Sequence, residues 1–161
     1  MISLLFGCSS LPNITSDNAL IAFPIKKQYK NSADYYMYYK IYYSETGIEQ
    51  HVYDKSIKIK PSIASFSLQQ MKPGQYDIYA IEQIYKHNDK VFNRIEINRK
   101  FECFAGTVTI ISNCIEIALI KNLNGTFGQH FDLKVTDEDM YQIVKKELSK
   151  MKNSKLWKIE Y

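Results

Sequence analysis

Tyr35-Tyr36-Met37-Tyr38-Tyr39-Lys40-Ile41-Tyr42-Tyr43 holds six tyrosines in nine residues, and its reading decides the fold. Aromatic side chains suit a pleated, half-buried surface, where the ring packs inward and the hydroxyl reaches water. Read with a period of two, the odd positions are Tyr35, Met37, Tyr39, Ile41 and Tyr43. They include Met and Ile and no charge, so they are assigned to the core. The even positions, Tyr36, Tyr38, Lys40 and Tyr42, are then predicted to stand outward. Such a row is a candidate binding face for a glycan or protein, because tyrosine brings contact area at low conformational cost. Cross-strand tyrosine pairing, with a lysine stem shielding the sheet, accounts for the same residues without a ligand.

The same period recurs on both sides of this stretch. Ile95, Ile97, Phe101 and Cys103 alternate with Arg94, Glu96, Asn98, Lys100 and Glu102, with Arg99 as the one break. Ile115, Ile117 and Leu119 alternate with Glu116 and Ala118, and Ile57 and Ile59 with Lys58 and Lys60. Ala19 to Ile25 is a short apolar run whose Pro24 belongs at an edge or a bend. Lys72-Pro73-Gly74 reads as a tight turn and Asn124-Gly125 as a hairpin turn. About 7–9 strands at short spacing predict a mainly β protein, an antiparallel β-sandwich. One amphipathic helix follows over 137–151, with Met140, Ile143, Val144, Leu148 and Met151 on one face. Thr136 is its expected cap, and Leu156 to Tyr161 an optional edge strand.

The chain has 161 residues, enough for one domain that buries roughly two thirds of its unfolded surface. Its net charge is +4, and no basic run exceeds two residues. That scatter argues against nucleic acid, which calls for a concentrated basic stripe. No apolar run is long enough for a membrane-spanning helix. His51, His87 and His130 are isolated in sequence and no Cys-x-x-Cys pair occurs, so no metal site or other cofactor is predicted. Catalytic residues are likewise not assigned. Cys103 falls on an apolar strand face, where a thiol acts as a small hydrophobe, and Asp137, Glu138 and Asp139 are explained by the start of a helix. Cys103 and Cys114, eleven residues apart, form a candidate disulfide across a hairpin region. In an oxidising compartment it would add roughly 2–4 kcal/mol; two buried thiols are the alternative.

Leu5-Phe6-Gly7-Cys8 resembles a bacterial lipobox, in which a leucine stands three before the cysteine and a small residue one before it. The resemblance implies cleavage before Cys8 and a diacylglyceryl and palmitate anchor on its thiol. Phe6 is larger than the usual residue, and the apolar stretch from Ile2 is short with no basic region before it. A start upstream of Met1 is expected to supply what is missing. Residues 1–7 are therefore read as a truncated lipoprotein signal, 8–18 as a flexible Ser/Asn/Pro tether, and 19–161 as a single domain.

Leu68-Gln69-Gln70-Met71-Lys72-Pro73-Gly74-Gln75-Tyr76 resembles the Leu-x-Pro-Gly-x-Tyr turn of prealbumin-like (transthyretin-like) β-sandwich domains. Phe101 to Thr109, followed by Ile115 to Leu119, resembles a hairpin of small bacterial lipoproteins of unknown function. The resemblance implies a sandwich on a lipid tether, without catalytic residues. The expectation is a cell-envelope lipoprotein, membrane-anchored on the outer-membrane or periplasmic face, whose non-enzymatic module binds an envelope protein or glycan or serves a structural role. A secreted or periplasmic enzyme or inhibitor on the same fold is one alternative. A cytoplasmic β domain with an accidental lipobox is the other.

Overall fold

The computed structural model describes residues 10–28, 37–47, 55–59, 65–121, 123, 125 and 127–161. The strands are β1 (Ala19–Lys27), β2 (Met37–Glu45), β3 (Lys55–Ile59), β4 (Phe66–Met71), β5 (Gly74–Tyr85), β6 (Val91–Cys103), β7 (Thr107–Ile110), β8 (Asn113–Lys121), β9 (Phe127–Val135) and β10 (Lys158–Glu160). Helix α1 (Glu138–Ser149) precedes β10. The protein is mainly β, with two facing sheets and one helix, as the alternation predicts.

The smaller sheet, in the order β3-β2-β5-β6, is antiparallel throughout. The larger sheet is mixed. Its order is β10-β7-β1-β8-β9, with β4 on the other edge of β1. Strand β1 runs antiparallel to β4 but parallel to β7 and β8, and β10 runs parallel to β7.

Strand β1 is the centre of the fold. Its odd residues Ala19, Ile21, Phe23 and Ile25 face the second sheet, packing with Tyr39, Ile41, Ile81 and Phe131 in the inter-sheet core. Its even residues Leu20 and Ala22 join Phe66, Val108, Ile110, Val144, Leu148 and Trp157 in a second core beneath the helix. Burial on both faces explains why β1 reads as a continuous apolar run. The layers are helix, mixed sheet and antiparallel sheet. Each large side chain fully buried there stabilises the fold by roughly 1.5–3 kcal/mol.

Pro24 lies within this central strand and not at an edge of the sheet. The Ala22 carbonyl accepts from Ile111 N, and Gln28 N donates to the Ile117 carbonyl, so even positions of β1 direct their backbone groups toward β7 and β8. Pro24 is the even position opposite the passage from β7 to β8, where a missing N–H is tolerated. Lys72 and Pro73 cross from one sheet to the other, since β4 pairs with β1 and β5 pairs with β2 and β6. The Tyr76 hydroxyl donates to the Lys72 carbonyl at 2.9 Å and fixes this crossing.

The helix starts one residue later than the expected cap. Asp137 is the N-cap and accepts from Met140 N at 2.8 Å. Thr136 is buried, and its hydroxyl donates instead to the Ile111 carbonyl. Met140, Val144, Leu148 and Met151 are buried as predicted, while Ile143 is turned to solvent. Ile143 is adjacent to the stripe but falls outside the arc that meets β1.

From Ser10 onward the expected tether is docked, not free. Ser10 pairs with Lys152, and Leu11 N donates to the Lys152 carbonyl at 2.9 Å. Leu11 is buried in the helix-side core, and the Trp157 indole N–H donates to the Pro12 carbonyl. The Asn18 amide, itself buried, accepts from Thr15 N and donates to the Asn13 carbonyl. A polar sequence with one apolar anchor, Leu11, is thereby held by side-chain and backbone bonds.

Candidate functional site: the outer face of the antiparallel sheet

The even residues of β2 lie on the sheet face away from the inter-sheet core, because Tyr39, Ile41 and Tyr43 pack into that core. Tyr36 falls outside the described residues. Register brings Lys58 of β3, Lys40 of β2, Glu82 of β5 and Arg94 of β6 into one cross-strand row. A second row joins Ser56, Tyr42, Ala80 and Glu96.

Tyr38 is not the open platform expected from the alternation, being only 3% exposed. The Lys58 ammonium sits 3.7 Å from its ring centroid, and its hydroxyl donates to Asp89 at 2.7 Å. Asp89 stands in the β5–β6 turn with φ 54, a left-handed conformation that aspartate tolerates better than most side chains. Burial, then the Asp89 carboxylate, pushes the Tyr38 phenol up to about 12. Tyr42 is half-buried, its hydroxyl donating to Glu82 at 2.7 Å and its ring lying 6.1 Å from that of Tyr79. Tyr79 reaches this face because the β2–β5 ladder shifts register opposite Tyr42 and Tyr43, where β5 has one residue more. Lys40, in the first of these rows, is half-buried.

The residues that organise this face are ones the sequence reading left aside. Arg94 donates to Glu82 at 2.8 Å and to Glu96, and its guanidinium lies 5.5 Å from the Tyr42 ring centroid. The two carboxylates hold the guanidinium firmly protonated. Both carboxylates lean on one cation, which offsets one of their two charges. The signal was present in the alternation of β6, but pairing Arg94 with Glu82 needs the β5–β6 register.

The candidate disulfide is not formed: Cys103 and Cys114 are both buried free thiols. The hairpin that would juxtapose them does not exist, since Cys103 ends β6 in one sheet and Cys114 begins β8 in the other. Cys103 packs in the inter-sheet core. Cys114 alternates with Ile115 and so faces the opposite side of its sheet. Burial pushes Cys103 up to about 12 and Cys114 up to about 11, which disfavours the nucleophilic thiolate. His87 and His130 are exposed, the first in the β5–β6 turn and the second on β9 of the other sheet, and His51 is outside the described residues. Among the described residues no three His, Cys, Asp or Glu side chains gather as a metal site. None of the described helices is long and apolar enough to cross a membrane.

A second surface forms where the N-terminal segment docks. Asn153 donates to the Leu11 carbonyl, and Lys158 N donates to the Gly106 carbonyl. Gly106 has φ +71, and Ile14 lies close against it. The exposed Ile14, Phe104 and Leu156, and the exposed Lys150, Lys152 and Lys155, lie on or beside the segments that these bonds join. Cys8, the lipidation candidate, lies outside the described residues, two positions before Ser10.

No known protein family matches the chain, and no curated protein matches it. Among solved structures it is similar to a leucine-rich repeat protein from Bacteroides thetaiotaomicron, at 10% identity and a TM-score of 0.38. That similarity covers 59% of this chain and 13% of the other.

Proposed function

We propose that the protein is a cell-envelope lipoprotein, anchored through Cys8, whose prealbumin-like β-sandwich is a non-enzymatic binding or structural module. The observation that carries the reading is the docked N-terminal segment. One residue, Ser9, separates Cys8 from Ser10, so chain length alone keeps the Cys8 backbone within about 7 Å of Ser10, which pairs with Lys152. The surface around that site combines exposed lysines with exposed apolar side chains. Lysines beside an anchor are attracted to anionic lipid, and apolar side chains add interfacial contact. A single acyl chain holds only marginally, so such a surface would supply a second attachment.

Burial of Cys103 and Cys114 raises both thiols and disfavours a cysteine nucleophile at either position. The resemblance to prealbumin-like domains is supported by the facing sheets and by the Tyr76 bond across Lys72 and Pro73. An envelope protein or glycan would meet the accessible part of the outer face, around Lys40, Tyr42, Arg94 and Glu96.

The test is expression of the full gene in a bacterial host, followed by fractionation and intact mass. Membrane recovery with a diacylglyceryl mass gain, abolished by Cys8→Ala, is expected. A soluble, unmodified protein that retains Met1 would overturn the anchor.

A further inference from the structure

Among the described residues, strand β6 is a long open edge: it ends the antiparallel sheet, pairs with β5 on one side, and runs for 13 residues. Its residues are exposed or half-buried until Cys103. Unpaired edges invite a further strand, and proteins blunt them with charge. Here the charges follow a pattern. Arg94, Glu96, Lys100 and Glu102 share the outward parity, with Asn98 at their centre. Arg94 meets Glu82 and Lys100 approaches Asp77, both on the outer face. Ile95, Ile97 and Phe101 pack toward the inter-sheet core.

We propose that two copies of this chain pair antiparallel along β6, about a two-fold axis at Asn98, to join their antiparallel sheets into one. A dyad perpendicular to the sheet keeps outer faces on the same side, so outward residues must oppose outward residues. Centred on Asn98, Arg94 opposes Glu102 of the second copy, and Glu96 opposes its Lys100. Ile95 opposes Phe101 on the inner face.

Neighbouring registers of the same parity fail on charge. Centring on Ile97 sets Arg94 against Lys100, and centring on Arg99 sets Glu96 against Glu102. Centring on Glu96 or on Lys100 opposes that residue to itself. Like charges directly opposite destabilise a strand pair, so one register is selected. One of the two irregularities of the β5–β6 ladder, where β6 has one residue more between Glu96 and Arg99, falls at the dyad, and the other lies between Val91 and Asn93. Arg94, Lys100 and Glu102 keep regular register with β5, and Glu96 flanks the irregularity at the dyad.

The experiment is sedimentation of the purified full-length protein over a wide concentration range, beside Glu96→Lys, Lys100→Glu and the double exchange. Both side chains are mostly exposed, at 67% for Glu96 and 71% for Lys100, so the fold should survive, as near-ultraviolet circular dichroism checks. The wild type should pass from monomer to dimer. Each single reversal should weaken dimerisation about tenfold, and the double exchange should restore it to within about threefold. Hydrogen exchange supplies an independent readout: edge amides of Arg94 to Lys100 should gain protection with concentration. A wild type that stays monomeric at millimolar concentration would overturn the proposal. So would a dimer that ignores both reversals or whose β6 amides stay unprotected.

Discussion

Strands β1 and β6 show how differently one sheet centre and one sheet edge are written. Strand β1 is paired along both edges and buried on both faces, with seven consecutive residues from Ala19 to Ile25 fully buried. Among the described residues, strand β6 is paired along one edge, and it is half-buried on one face. The first reads as an unbroken apolar run, the second as alternation broken only at Arg99. The period of a strand therefore reports how many of its faces are covered, and charge reports which edge is free.

The largest expected effect breaks this comparison if it fails. Phe23→Ala, at the centre, should cost about 3–5 kcal/mol in denaturant unfolding, whereas Ile95→Ala, at the edge, should cost about 1–2 kcal/mol because Ile95 is only partly buried. Equal costs would mean that the edge carries as much of the core as the centre.

Alkali sharpens the contrast. The inter-sheet core contribution of β1 has no ionisable side chain, but the β5–β6 end of that core holds Cys103 and Tyr76, both pushed up to about 12 by burial. An unfolded thiol loses its proton near 9 while the folded one keeps it to about 12. Over that window the unfolded state binds fewer protons, so stability is full below pH 9 and falls as pH rises. Each such group should contribute a slope of about 1.4 kcal/mol per pH unit. Cys103→Ala should lower stability at neutral pH yet give a shallower alkaline decline in pH-dependent unfolding; an unchanged slope would separate Cys103 from the transition.

The smallest effect concerns the outer face. Tyr42→Phe removes the hydroxyl bond to Glu82 but leaves Arg94 on the same carboxylate, so unfolding should show a loss of about 1 kcal/mol. No loss at all would mean that Arg94 alone satisfies Glu82.

Much of this was legible locally. The inward parity of Tyr39, Ile41 and Tyr43 follows from a charge-free odd set, and that of Ile95, Ile97, Phe101 and Cys103 from their alternation. The face of α1 follows from helical spacing, apart from Ile143. What escaped the sequence depends on contacts distant along the chain. Leu20 and Ala22 are buried because α1, more than a hundred residues later, covers them. Tyr38 is buried on a face that alternation assigns to solvent, its hydroxyl drawn to Asp89 at a remote turn. Cys103 and Cys114 part because the chain changes sheets between them. For the candidate site, the tyrosines and Lys40 could be read directly, but Glu82 and Arg94 become partners only through strand register.

The lacing of Leu11 and Pro12 to Lys152, Asn153 and Trp157 also has a mechanical meaning. A pull applied upstream of Ser10 meets these few hydrogen bonds and the Leu11 side chain before it reaches Ala19 and the central strand. The docked segment is thus a fuse: under load it can peel away and lengthen the leash by several residues while both sheets stay intact.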